Sequence, residues 1–184
     1  MTAIHEAGHA VLCFLLQVRF SYVSIIADED WLGVVIHPKG VYGKNFDPEI
    51  DLSPATKDKI ERHAKVCFAG QIAERIFFGK LPKADQKRSS DDDHRAIDLA
   101  SDVVGGGKVL QAYIDYLYAS AEGSFRNPMH RYAIRVLADE LLAQKKLGSK
   151  KAREIITKAF NNFIEKHQNH DETFLKKWKW LEFE

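Results

Sequence analysis

A pair of histidines four residues apart, His5 and His9, stands inside a run of helix formers and limits what the start of this chain can become. Thr2 to Leu16 carries apolar residues at helical spacing with only Gly8 against it, so the segment is expected to be a helix. Residues i and i+4 share a helix face, which sets the two imidazoles side by side with Glu6 in the same turn. His5-Glu6-Ala7-Gly8-His9 therefore reads H-E-x-x-H, an arrangement whose imidazoles can grip one zinc ion. Zinc held by three protein groups keeps a position for water and lowers the pKa of that water to about 7. Glu6 can then take the water's proton and later pass it to a leaving amine. The same letters also suit a helix whose histidines are only surface or core residues, so other elements must concur.

The rest of the composition narrows the function classes. A chain of 184 residues is long enough for one well-buried core, read here as a single domain over residues 1–168 followed by an aromatic segment, 169–184, with Trp178 and Trp180. That segment is expected to dock on the same domain. A net charge of +1 offers no field for a polyanion, which argues against nucleic acid as a partner. The longest apolar run, Ala10 to Leu16, is far short of the roughly 20 residues that cross a bilayer, so no membrane segment and a cytoplasmic location are expected. Cys13 and Cys67 lie in helix-like segments without C-x-x-C spacing and read as free core thiols, with a single bridge between them as the alternative.

Along the chain, β-branched and aromatic residues dominate 20–26 and 31–36 around the turn Ala27-Asp28-Glu29-Asp30, which predicts a hairpin. Residues 38–52, with Gly40, Gly43, Asn45 and Pro48, read as a mobile loop. Ser53-Pro54 caps a long helix closed by Gly79, with Ile60, Ala64, Cys67, Phe68, Ile72 and Ile76 as its apolar stripe. A polar connection from Lys80 to Arg88 should lead to a helix capped by Ser89-Ser90 and ended by Gly105-Gly106-Gly107. Further helices are expected over 109–121, from Asn127-Pro128 to Lys146, and from Gly148-Ser149 to Lys166. The fold class is mainly α, formally α+β, with one small sheet.

A catalytic zinc needs a third protein ligand from another element. Asp91, Asp92 and Asp93 supply the candidates. Asp92 shares a helix face with Ala96, Leu99 and Val103, and Asp93 with Ile97, Ala100 and Val104, so periodicity permits either to point inward. Three carboxylates in a first helical turn would also suit the helix dipole with no metal at all. His63 and His94, solitary histidines on helices, could lie near the metal and are read as structural.

Four separated blocks carry a resemblance. Thr2 to Val11, Leu32-Gly33-Val34, Ala69-Gly70-Gln71-Ile72-Ala73-Glu74-Arg75-Ile76-Phe77-Phe78-Gly79, and Ser90-Asp91-Asp92 leading into Ala96 and Leu99-Ala100 resemble, in order and spacing, the peptidase domain of the FtsH family. Members of that family are zinc endopeptidases fused to AAA+ ATPase modules. The match covers most of residues 2–104 and continues more weakly through 137–147 and 152–160. The family's third zinc ligand is an aspartate four residues before a small residue and seven before a Leu-Ala pair, a register that selects Asp92 here. Asp91 and Lys87-Arg88-Ser89 depart from the family's usual Asn and Gly-Ala, which keeps Asp93 in reserve. The resemblance further implies that Glu74 orients a ligand histidine from outside the coordination sphere. It also implies that Leu32, Gly33 and Val34 form an edge strand that hydrogen-bonds an extended polypeptide substrate.

No G-x-x-x-x-G-K-[ST] occurs, so an ATPase, if one takes part, would be on another chain or a missing segment. Family members form hexamers largely through that ATPase, which keeps a homo-oligomer among the expectations. The expected function is thus a zinc metallopeptidase with Glu6 as general base and His5, His9 and Asp92 as ligands. Its rivals are a non-catalytic binding or assembly module with the same fold and a metal hydrolase of small amides.

Overall fold

The computed structural model of this chain describes residues 1–27, 33–37, 53–79 and 83–168, with 83–90 and 168 described in their backbone alone. Among these are six helices and one three-stranded antiparallel sheet, the mainly helical architecture expected. The expected loop over 38–52 and the aromatic segment 169–184 lie outside the described residues. No helix among those described is long and apolar enough to cross a membrane.

Helix α1 (Thr2–Leu15) is the hub. It is buried almost all round, from Ala3 to Cys13, as a helix apolar on every side must be. It packs against α2 (Pro54–Phe78) on one side and α5 (Pro128–Gln144) on another, and also touches α6 (Ser149–Gln168) and the sheet. Helix α2 starts and stops as its sequence predicts. The Ser53 hydroxyl accepts from the Thr56 amide at 3.3 Å, a cap worth about 1 kcal/mol, and Gly79 closes the helix with φ +78°. Around α1 and α5 the core fills with Leu12, Leu117, Phe125, Ile134, Leu137, Leu141 and Ile156, all fully buried.

Two elements differ from expectation. Helix α3 runs from Lys83 to Val104, so Ser89-Ser90 lie inside it instead of capping it. Nothing between Lys83 and Asp91 breaks a helix, and Lys, Ala, Gln and Arg all favour one. The acidic trio consequently sits more than two turns in, beyond reach of the helix N-terminal dipole. Helix α4 (Gly107–Ser124) follows directly, somewhat longer than the 109–121 predicted.

The second difference is a third strand. Strands β1 (Tyr22–Ser24) and β2 (Val34–Ile36) form the predicted hairpin in shortened form, pairing Val23 with Val35. On the far side of β1 lies β3 (Lys146–Gly148), in the stretch read as the end of one helix and the start of the next. Helix α5 stops at Gln144, Lys145 turns the chain with φ +64°, and its carbonyl accepts from the Ile25 amide at 2.8 Å. Leu147 then buries opposite Val23. Among the described residues the order β2-β1-β3 leaves β2 at an edge, beside α1.

Candidate metal centre

Close crossing of α1 and α2 creates the site. A Cβ on Gly8 would lie 2.7 Å from both the Ala69 carbonyl oxygen and the Ala73 Cβ, so only glycine allows the helices this near. The crossing turns His5 and His9 toward α2, with the rings 4.7 Å apart and inclined by 65°. His5, Glu6, His9 and Glu74 are all buried, an arrangement too costly for a core unless each polar group is answered.

Each imidazole is held from behind. His9 Nδ1 donates to the Val66 carbonyl at 2.7 Å. His5 Nδ1 lies 3.2 Å from Glu74 Oε2, and Glu74 is 1 % exposed. A neutral ring that donates through Nδ1 presents a lone pair at Nε2. Both Nε2 atoms converge on a single acceptor, Asp92 Oδ2, at 3.2 Å each. The Nε2 atoms and an Asp92 oxygen all lie within 4.8 Å of one another.

Were both rings neutral with the proton on Nδ1, two lone pairs would face one carboxylate oxygen, an arrangement relieved by a proton on Nε2 or by a cation among the three atoms. Without a cation, burial pushes the Asp92 carboxyl up, but the His9 charge and the hydrogen bonds from His5 and His9 outweigh it and hold the carboxyl well below the usual range. With zinc, ligand bonds of about 2.0–2.1 Å in a tetrahedron give ligand-to-ligand edges of about 3.3 Å, close to the separations found. Neither Glu74 nor Asp92 is ion-paired to a Lys or Arg among the described residues. The donor set fits a divalent ion.

Asp92 and Asp93 part company here. Asp92 lies on the face of α3 that carries the fully buried Ala96, whereas Asp93 takes a hydrogen bond from the Gln71 amide and shares its face with the exposed Ile97. Asp92 is 28 % exposed, the least buried of the three groups. Glu6 faces β2. A Cβ on Gly33 would fall 2.8 Å from Glu6 Oε1, which brings the backbone of the edge strand against the carboxylate. Val34 begins β2, and Leu32 lies outside the described residues.

Gly70 forms the floor and was not singled out in the sequence. A Cβ there would collide with His5 Nε2 and lie 2.5 Å from His9 Nε2, inside the space between the ligand atoms. The available signal was a glycine in the interior of a long helix, where it costs about 1 kcal/mol relative to alanine and calls for a packing reason.

Cys13 and Cys67 are free and buried. Burial, with the Asp92 charge adding to it, pushes the Cys67 thiol up to about 12, so it offers no thiolate to a metal. No family model matches the chain.

Proposed function

We propose that this protein is a zinc metallopeptidase resembling the FtsH peptidase domain, in which His5, His9 and Asp92 hold the ion. One observation carries the reading: His5 and His9 aim Nε2 at the same Asp92 carboxylate oxygen, while His9 Nδ1 donates to the Val66 carbonyl and His5 Nδ1 lies 3.2 Å from Glu74 Oε2. When bound, zinc would supply a Lewis acid that polarises both a water and the substrate carbonyl.

The chain's own residues supply the rest. Glu6, buried next to the ligand helix face, accepts the proton of the attacking water and returns it to the departing amine. The Val66 carbonyl fixes the His9 tautomer, and the Glu74 carboxylate, 3.2 Å behind His5 Nδ1, would favour a ring that is protonated there. The edge of β2, running past Glu6 at Gly33, offers backbone groups to an extended chain, which favours unfolded or peptide substrates over folded ones. An ATPase that delivers such substrates would act from another polypeptide or segment.

The test is zinc content by elemental analysis together with cleavage of unfolded casein, on wild type and Glu6→Gln. The expected result is one zinc per chain in both and turnover reduced by about 10²–10⁴ in the variant. Zinc without cleavage in the wild type would favour a binding module, and activity on small amides alone would favour an amide hydrolase. Undiminished cleavage by Glu6→Gln would remove Glu6 from the reaction.

A further inference from the structure

The two helices that meet at the candidate metal centre are tied together again one residue further along each. On α2, Gly70 lies beneath both Nε2 atoms, and the next residue is Gln71. On α3, Asp92 reaches both rings, and the next residue is Asp93. The Gln71 side-chain amide donates to Asp93 Oδ1, so the neighbour of the floor holds the neighbour of the third ligand candidate. Neither Gln71 nor Asp93 belongs to the group of converging ligand atoms.

Successive helical residues point about 100° apart, which sets the pair round the side of each helix from the metal centre. A cavity of about 510 Å³ opens there between α2, α3 and α4, with Gln71 and Asp93 in its wall beside Phe68, Ile97 and Tyr118. Both side chains are half-buried, so the bond between them bears on how the helices are turned without being part of the core.

Rotation of α3 matters because Asp92 is the only one of the three ligand candidates on that helix, while His5 and His9 share α1. Among the described residues the fully buried side chains of α3 are Ala96 and Ala100. Single methyl groups set how near a helix comes far more than how it is turned. With Cα atoms about 2.3 Å from the axis, a roll of about 20° moves the Asp92 Cα by about 0.8 Å and its carboxylate by more. Ligand distances in a metal site hold to within about 0.2 Å. A hydrogen bond to a carboxylate is of the stronger, charge-assisted kind, and one placed a single residue from Asp92 resists that roll.

We propose that Gln71 and Asp93 are positioning residues, whose hydrogen bond fixes the rotation of α3 against α2 and so holds Asp92 where His5 and His9 converge. The inference rests on the metal reading of the site and is judged by metal affinity and spectroscopy, with no cleavage involved.

Zinc affinity is measured on the full chain by competition with a chelating dye, for the wild type, Gln71→Ala, Asp93→Ala and the double variant. Each single substitution should weaken zinc by about tenfold, the lower end of what loss of a partner outside the coordination sphere costs. Occupancy at saturating zinc should stay as in the wild type. The double variant should bind no more weakly than either single one, because all three lack the same bond. Gln71→Asn combined with Asp93→Glu moves one methylene from one side chain to the other and keeps the span, so affinity should return toward the wild-type value. Cobalt in place of zinc reports ligand geometry: the visible absorption band of bound Co²⁺ should change in the single variants and recover in the swap, a signature that a loss of fold stability alone does not produce. Unchanged affinity in both single variants, losses that add in the double variant, or one cobalt spectrum throughout overturns the proposal. A wild type that binds neither metal fails the metal reading and this inference with it. A wild type that binds metal and cleaves nothing fails the peptidase reading alone, and the affinities still judge the pair.

Discussion

Helix α1 has two very different neighbours. Toward α2 it offers Gly8, His5 and His9, and α2 replies with Ala69, Gly70, Ala73 and Glu74, so the contact is made of small residues and polar groups. On its other side, α5 brings Ile134, Leu137 and Leu141, backed by Ile156 of α6, a contact of fully buried aliphatics. The second interface gains free energy in proportion to the apolar area it removes from water. The first brings the two backbones close at Gly8 and Gly70, which is what convergent side chains need. Stability and site geometry are therefore drawn from opposite sides of one helix.

Paired substitutions test whether the two sides are separable. Gly70→Ala should lower zinc affinity by more than about 100-fold, beyond the 10–100-fold typical of losing an outer hydrogen-bond partner, because its methyl occupies the space between both Nε2 atoms. Leu137→Ala should instead cost about 2–5 kcal/mol of unfolding free energy and leave zinc stoichiometry intact. Competition with a chelating dye and urea denaturation measure the two effects. If Leu137→Ala abolished zinc binding in folded protein, the division would fail.

Within the small-residue side, Asp92→Ala should reduce zinc occupancy strongly and Asp93→Ala should not, since Asp93 is engaged by Gln71. Full occupancy of Asp92→Ala would transfer the ligand role elsewhere. Glu74→Gln should weaken zinc binding by about 10–100-fold, because an amide can still sit behind His5 but supports its basicity less. An unchanged affinity would reduce Glu74 to packing.

The smallest effect concerns pH. Burial holds His63 near 4 in the folded protein, below its ordinary 6.5, so the unfolded chain binds the proton more tightly. Its contribution to stability is complete above pH 6.5 and is lost as pH falls from there toward 4. His63→Gln should therefore narrow the difference between urea midpoints measured at pH 7 and pH 5. A midpoint difference identical to that of the wild type would show that protonation of His63 is not felt by the fold.

Much of the architecture was legible because it is local. Helical spacing located α1, α2, α5 and α6, and Ser53-Pro54, Gly79 and Asn127-Pro128 marked their ends. Strand β3 escaped because three residues paired to a distant segment show no period of their own. The start of α3 escaped because Ser89-Ser90 imitates a cap within a stretch that favours helix throughout. At the site, the four-residue spacing put His5 and His9 together, and the register of the resemblance pointed to Asp92, which meets both rings. The significance of Gly70 and of the Gln71 and Asp93 pair needed coordinates, since each depends on which helix lies opposite.

The turn of α2 from Val66 to Gly70 serves both imidazoles at once, with a carbonyl behind one and a bare α-carbon beneath the pair. A slip of α2 by a single residue would shift it about 1.5 Å and rotate it about 100°, removing that carbonyl and swinging a side chain into the gap. Affinity for an ion held there would thus work as a vernier on how the two helices are indexed. Loosening too slight to register in a melting curve would still announce itself as metal escaping to a chelator.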